Sequence, residues 1–113
     1  MRVLVCGSRH YNNYEEMEKV LDEYTITEII EGEARGADRN ARVYGESKGI
    51  PVHRFPADWN THGKAAGPIR NKQMLTEGKP ELVVAFRGPN SRGTQNMINQ
   101  AEKAGVPVKV IEI

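Results

Sequence analysis

Two stretches of this chain, Val3-Leu4-Val5-Cys6 and Leu82-Val83-Val84-Ala85-Phe86, are apolar at every position. A strand that faces water on one side alternates apolar and polar residues. A strand apolar throughout is covered on both faces, as in a parallel sheet enclosed by helices. The other strand-like runs differ. Val52-His53-Arg54-Phe55 and Val108-Lys109-Val110-Ile111-Glu112-Ile113 are interrupted by polar side chains, as edge strands often are. The short run Glu28–Glu31 ends at Gly32.

Helical patterns separate these runs. Asn13–Tyr24 places Tyr14, Met17, Val20, Leu21 and Tyr24 on one face, with Asn12 and Glu15 at capping-box spacing. Asp38 is suited to cap a second helix that reaches Lys48 and stops at Gly49. Gly67-Pro68 suits the first turn of a third helix, and Gly93-Thr94 opens a fourth that ends at Gly105. Five strands alternating with about four helices predict an α/β fold of Rossmann-like, three-layer α/β/α form. The fully apolar first and fourth strands belong at the centre and the interrupted third and fifth at the edges. A parallel five-stranded sheet in the order 3-2-1-4-5 meets that requirement. Its topological switch point, between strands one and four, is where ligands bind beyond the carboxyl ends.

Three loops are expected to converge there: Gly7-Ser8-Arg9, Gly32-Glu33-Ala34-Arg35-Gly36-Ala37-Asp38 and Arg87-Gly88-Pro89-Asn90-Ser91-Arg92-Gly93-Thr94. Glycine admits close backbone approach, helix amino termini offer unpaired N–H groups, and arginine forks suit phosphate. Arg9, Arg35, Arg87 and Arg92 lie in these loops and Arg70 in the first turn of the third helix. Glu15, Glu16, Glu18, Asp22 and Glu23 are assigned to the exposed side of the first helix. A chain of net charge +1 would thus carry one positive rim, suited to a phosphate-bearing ligand. Neither G-x-G-x-x-G nor G-x-x-x-x-G-K-[ST] occurs, so the expectation rests on loop placement.

The 113 residues, 38% hydrophobic and 27% charged, amount to one globular domain spanning 1–113. A single cysteine, Cys6, excludes an internal disulfide and points to a reducing, cytoplasmic setting. No apolar run is long enough for a membrane span. The three histidines and Cys6 lack metal-ligand spacing, so no metal is expected, and no cofactor is firmly implied. Trp59, in the long Pro56–Ala66 connection, reads equally as a base-stacking or a core-capping residue. His10 is the histidine nearest the switch point, whereas His62 reads as solvated. Seven aromatic residues are too few for a long stacking platform, which argues against single-stranded nucleic acid as a partner.

These segments, together with Phe55-Pro56-Ala57-Asp58-Trp59 and Gly67-Pro68-Ile69-Arg70-Asn71-Lys72-Gln73-Met74, resemble the YspA-related branch of the SLOG superfamily, a group of small bacterial and phage proteins. The resemblance spans nearly the whole chain. It implies a Rossmann-like fold that senses or sequesters a nucleotide or nucleotide-derived signal. Gly7, Ser8, Arg9, Gly32, Arg35, Gly36, Ala37, Asp38, Arg70, Asn71, Arg92, Gly93 and Thr94 are the expected ligand contacts. The superfamily also contains the DNA-processing protein DprA and phosphoribohydrolases with a P-G-G-x-G-T-x-x-E motif. Here Gly93-Thr94 is kept but Met97 stands at the glutamate position. A thioether cannot transfer a proton, so the resemblance favours binding over N-glycosidic hydrolysis. Superfamily members are often dimers, which makes a homodimer an expectation.

Overall fold

The computed structural model describes all 113 residues. Its elements run β1 (Arg2–Gly7), α1 (Tyr14–Leu21), β2 (Glu28–Glu31), α2 (Ala37–Lys48), β3 (Val52–Arg54), α3 (Trp59–His62), a 3₁₀ turn (Gly63–Ala65), α4 (Ala66–Gly78), β4 (Leu82–Arg87), α5 (Arg92–Lys103) and β5 (Val108–Glu112). The strands form one parallel sheet in the order β3-β2-β1-β4-β5. The sequence-derived order is therefore the observed one.

Alternation along the central strands divides the core into two layers. Val3, Val5, Ile29, Val84 and Phe86 face α1 and α2, where Met17, Leu21, Ala41 and Tyr44 cover them. Leu4, Cys6, Ile30, Val83 and Ala85 face α4 and α5, against Met74, Met97, Ile98 and Ala101. Each large side chain so removed from water stabilises the fold by about 1.5–3 kcal/mol. Cys6 is buried in the second layer, and burial pushes its thiol pKa up, so it behaves as a small apolar residue.

Several local features depart from expectation. The cap of α1 is Asn13, whose side chain accepts from the Glu16 amide at 3.1 Å, one residue beyond the expected Asn12 box. The helix stops at Leu21 rather than Tyr24. The long connection after β3 holds a short helix capped by Asp58, which accepts from the Thr61 amide. Asp38 does not cap α2. The cap position is Gly36, at φ 75°, and Asp38 lies inside the first turn.

Candidate functional site

The loops leaving β1, β2 and β4 meet at the carboxyl end of the sheet, and Ser8 ties them together. Its amide donates to the Phe86 carbonyl at 3.0 Å. Its own carbonyl accepts from Tyr11 at 3.2 Å and from Ala37 at 3.1 Å. Its hydroxyl accepts from the His10 amide at 3.1 Å. Gly36 lies so close to the Ser8–Arg9 backbone that a Cβ there would collide with it, and a Cβ on Gly7 would strike Phe86 and Ala37. The amides of Ser8 and Ala37 are therefore engaged within the fold. Gly7, Ser8, Gly36 and Ala37 hold one loop to the next.

The loop after β2 is anchored by two buried carboxylates. Asp38 Oδ2 accepts from the amides of Gly32 at 3.1 Å and Ala34 at 3.3 Å, so this side chain closes the loop rather than the helix. Glu31, fully buried, accepts from the Glu33 amide through Oε1 at 2.7 Å, while its Oε2 has no partner. Burial, followed by the nearby Asp38, raises the Glu31 carboxyl to about 7. Burial raises Asp38 to about 6, against the pull of Arg70 and the two amides. Sequence reasoning passed over Glu31. The available signal was a carboxylate directly after Ile29-Ile30 and before Gly32.

Arg70 and Asn71, adjacent on α4, reach different loops. Arg70 Nη1 donates to the Gly32 carbonyl at 2.5 Å, and its Nε to Asn71 Oδ1 at 3.1 Å. Asn71, 4% exposed, donates through Nδ2 to the Gly93 carbonyl at 3.2 Å and to Asn96 Oδ1 at 3.1 Å. These contacts make both residues braces of the loops.

The start of α5 is different. Ser91 occupies the cap position without capping, because its hydroxyl accepts from Gly88 instead, at 3.0 Å. The amides of Gly93 and Thr94 make no hydrogen bond, nor does the Thr94 hydroxyl. Gly93 has no atom within 4 Å of where a Cβ would stand, so packing does not require glycine there. Arg92 is exposed and unpaired beside it, and Arg9 and Arg35 are likewise exposed without ion pairs. Arg87 is not free, since it binds Gln95 Oε1 at 2.8 Å and pairs with Glu112.

Two clefts adjoin this region and share Gly88. The smaller, about 300 Å³, is lined by no hydrophobic residue and includes Arg87, Ser91, Arg92 and Gln95. The larger, about 390 Å³, opens between the β1–α1 and β4–α5 loops and is walled by His10, Tyr11, Asn13, Glu16 and Pro89. Glu16 was assigned to the outer side of α1. It is half-buried in this cleft, at the first turn of the helix. Trp59 is 51% exposed with its ring over Gly67 of α4, outside both core layers and both clefts. Met97 is fully buried among Leu4, Ile30 and Met74, so the position of the hydrolase glutamate faces the core in this chain.

The model of the YspA, cpYpsA-related SLOG family matches residues 1–62. The chain is 36% identical to Gene 61 protein of Mycobacterium phage D29 over 120 residues, covering 95% of this chain and 93% of that protein. It belongs to the YspA, cpYpsA-related SLOG family. A more distant likeness, 28% over 98 residues, is to the phosphoribosylformylglycinamidine cyclo-ligase of Xanthomonas campestris pv. campestris (strain B100), covering 80% of this chain but 29% of that one. Among solved structures, DNA processing protein A (DprA) from Streptococcus pneumoniae superposes with a TM-score of 0.77 at 19% identity, over 96% of this chain and 49% of that one. That likeness shows the shared fold. No helix is long and apolar enough to cross a membrane.

Proposed function

We propose that this protein binds a phosphate-bearing nucleotide or nucleotide-derived ligand at the carboxyl end of the sheet, with the phosphate at the start of α5. The observation that carries this reading is Gly93. A glycine in a helix costs about 1 kcal/mol relative to alanine, and neither backbone conformation nor packing calls for one here. What its small size leaves open is the approach to two unpaired amides at a helix amino terminus, where an anion is favoured. Arg92 stands beside that approach, and Arg9 and Arg35 extend the positive charge. Family membership supports a nucleotide-related ligand. Met97, buried where the hydrolases carry glutamate, supports retention of the ligand over cleavage.

Native mass spectrometry of freshly purified protein tests for a co-purifying nucleotide. Calorimetry with that ligand then tests the site. A charge-assisted contact contributes about 1.5–3 kcal/mol, so Arg92→Ala should weaken binding roughly 10- to 100-fold. Gly93→Val should do at least as much harm by obstructing the backbone. Lys48→Ala, in the last turn of α2, should leave affinity unchanged. Wild-type affinity in Arg35→Ala, Arg92→Ala and Gly93→Val together would remove the phosphate from this location.

A further inference from the structure

The larger cleft has a chemistry opposite to that of the α5 start. No lysine or arginine lines it, and Glu16 is the one carboxylate side chain in its wall. Its volume of about 390 Å³ lies within the roughly 300–1,000 Å³ of small-molecule sites. A phosphate would be repelled by Glu16, so the cleft suits an uncharged part of a ligand whose anion lies across Gly88.

The wall is fixed before any ligand arrives. The Tyr11 ring packs on Phe86 with centroids 4.8 Å apart, tilted 35°. Its hydroxyl lies 2.8 Å from both Glu16 Oε1 and the Asn13 carbonyl, so one proton serves two acceptors. The Asn13 side-chain oxygen is taken by the Glu16 amide. Glu16 lines the cleft, and its Oε2 makes no hydrogen bond and no ion pair. An ionised carboxylate only accepts, with lone pairs to spare on both oxygens. The group opposite must therefore bring donors, and on the edge of a nucleotide base these are N–H groups.

Nucleotide bases differ in that respect. Guanine presents a ring N–H and an amino group side by side, matching a carboxylate with two bonds. Adenine and cytosine set one amino group beside an acceptor nitrogen, whose lone pair would face the carboxylate. Uracil sets its N–H between two carbonyls. We propose that this cleft seats the base of the bound nucleotide and that Glu16 selects a guanine-type edge. The proposal rests on the phosphate reading above and adds the ligand class.

The test titrates the full chain by calorimetry with the 5′-monophosphates of guanosine, inosine and adenosine, with guanosine itself, and with inorganic phosphate. Guanosine monophosphate should bind at least about tenfold tighter than adenosine monophosphate, since an unmatched polar edge is strongly rejected in a site built to pair it. Inosine monophosphate, which keeps the ring N–H and lacks the amino group, should fall between them and needs no variant. Glu16→Gln keeps an oxygen for the Tyr11 hydroxyl, so the melting temperature should hold while the guanosine-to-adenosine ratio collapses. Equal affinities for the two nucleotides, or a ratio unchanged in Glu16→Gln, overturn the proposal and leave the phosphate site standing. Arg92→Ala should weaken all three nucleotides equally and leave the ratio intact. Guanosine that binds through Glu16 while phosphate has no effect supports the base site and overturns the phosphate reading. No binding by any of these compounds overturns both.

Discussion

The side-chain amide of Asn71 donates to the carbonyl oxygen of Gly93 at 3.2 Å, fixing the first turn of α5 from the neighbouring helix. The same amide group reaches Asn96 Oδ1, so Asn71→Ala strips two partners from a buried site. Asn96 Oδ1 keeps its bond from Gln100 at 2.7 Å, so the cost is that of two lost hydrogen bonds, about 0.5–1.5 kcal/mol each, together with the lost packing of a buried side chain. Urea denaturation should show a loss on the order of 2 kcal/mol. Affinity for the ligand should fall even where the folded fraction is held constant, because the Gly93 amide is no longer held in place.

Gly36 and Gly93 should respond to alanine in opposite ways. At Gly36 the backbone is at φ 75° and a Cβ would meet Ser8 and Arg9, so Gly36→Ala should cost about 2 kcal/mol or more. At Gly93 the space is open and the helix gains a better former, so Gly93→Ala should be neutral or stabilise by up to about 1 kcal/mol. Ligand affinity should nonetheless drop in Gly93→Ala. Thermal melts with and without ligand check both signs.

The pH dependence of stability should carry the mark of Glu31. Its folded-state pKa, about 7, lies above the ordinary 4.5, so the folded chain holds the proton more tightly than the unfolded chain. The protonated carboxyl is fully compatible with the fold below about pH 4.5, and stability is lost as pH rises from there to about 7. Asp38, at about 6, adds a contribution of the same sign between its ordinary 3.8 and that value. Glu31→Gln should flatten the slope and stabilise the protein at pH 8 by on the order of 2 kcal/mol. Denaturation midpoints from pH 5 to 8 give the comparison. A wild-type curve that rises with pH across this window would contradict the assignment.

Restoring the hydrolase glutamate should not restore hydrolysis. Met97→Glu places a carboxylate at a fully buried position between α5 and the sheet. An unpaired buried charge is expelled or neutralised, so the variant should lose more than about 3 kcal/mol or fail to fold. Circular dichroism and an assay for released base read the two outcomes. A stable variant that liberates base would show that residue 97 can face the ligand.

The sheet order was legible because burial on two faces leaves a direct trace. Val3–Cys6 and Leu82–Phe86 have no polar position, whereas His53, Arg54, Lys109 and Glu112 interrupt the edges. The braces were less legible. Asp38 satisfies amides, as a cap does, but the amides belong to Gly32 and Ala34 behind it, and that choice depends on loop curvature set by Gly36. Arg70 and Asn71 were found as site residues without their partners, since contacts across 38 and 22 positions leave no periodic signal. Glu16 was hidden among acidic neighbours on α1, and only the fold turns it toward the β4–α5 loop.

Arg70 and Asn71 are consecutive residues on one helix, and between them they hold the carbonyls of Gly32 and Gly93. The two loops consequently share a single rigid lever. A ligand that favours one arrangement of the α5 start also biases the Gly32–Gly36 segment, and thermodynamic linkage makes the effect reciprocal. Loss of either side chain should therefore loosen both loops at once rather than the one it touches.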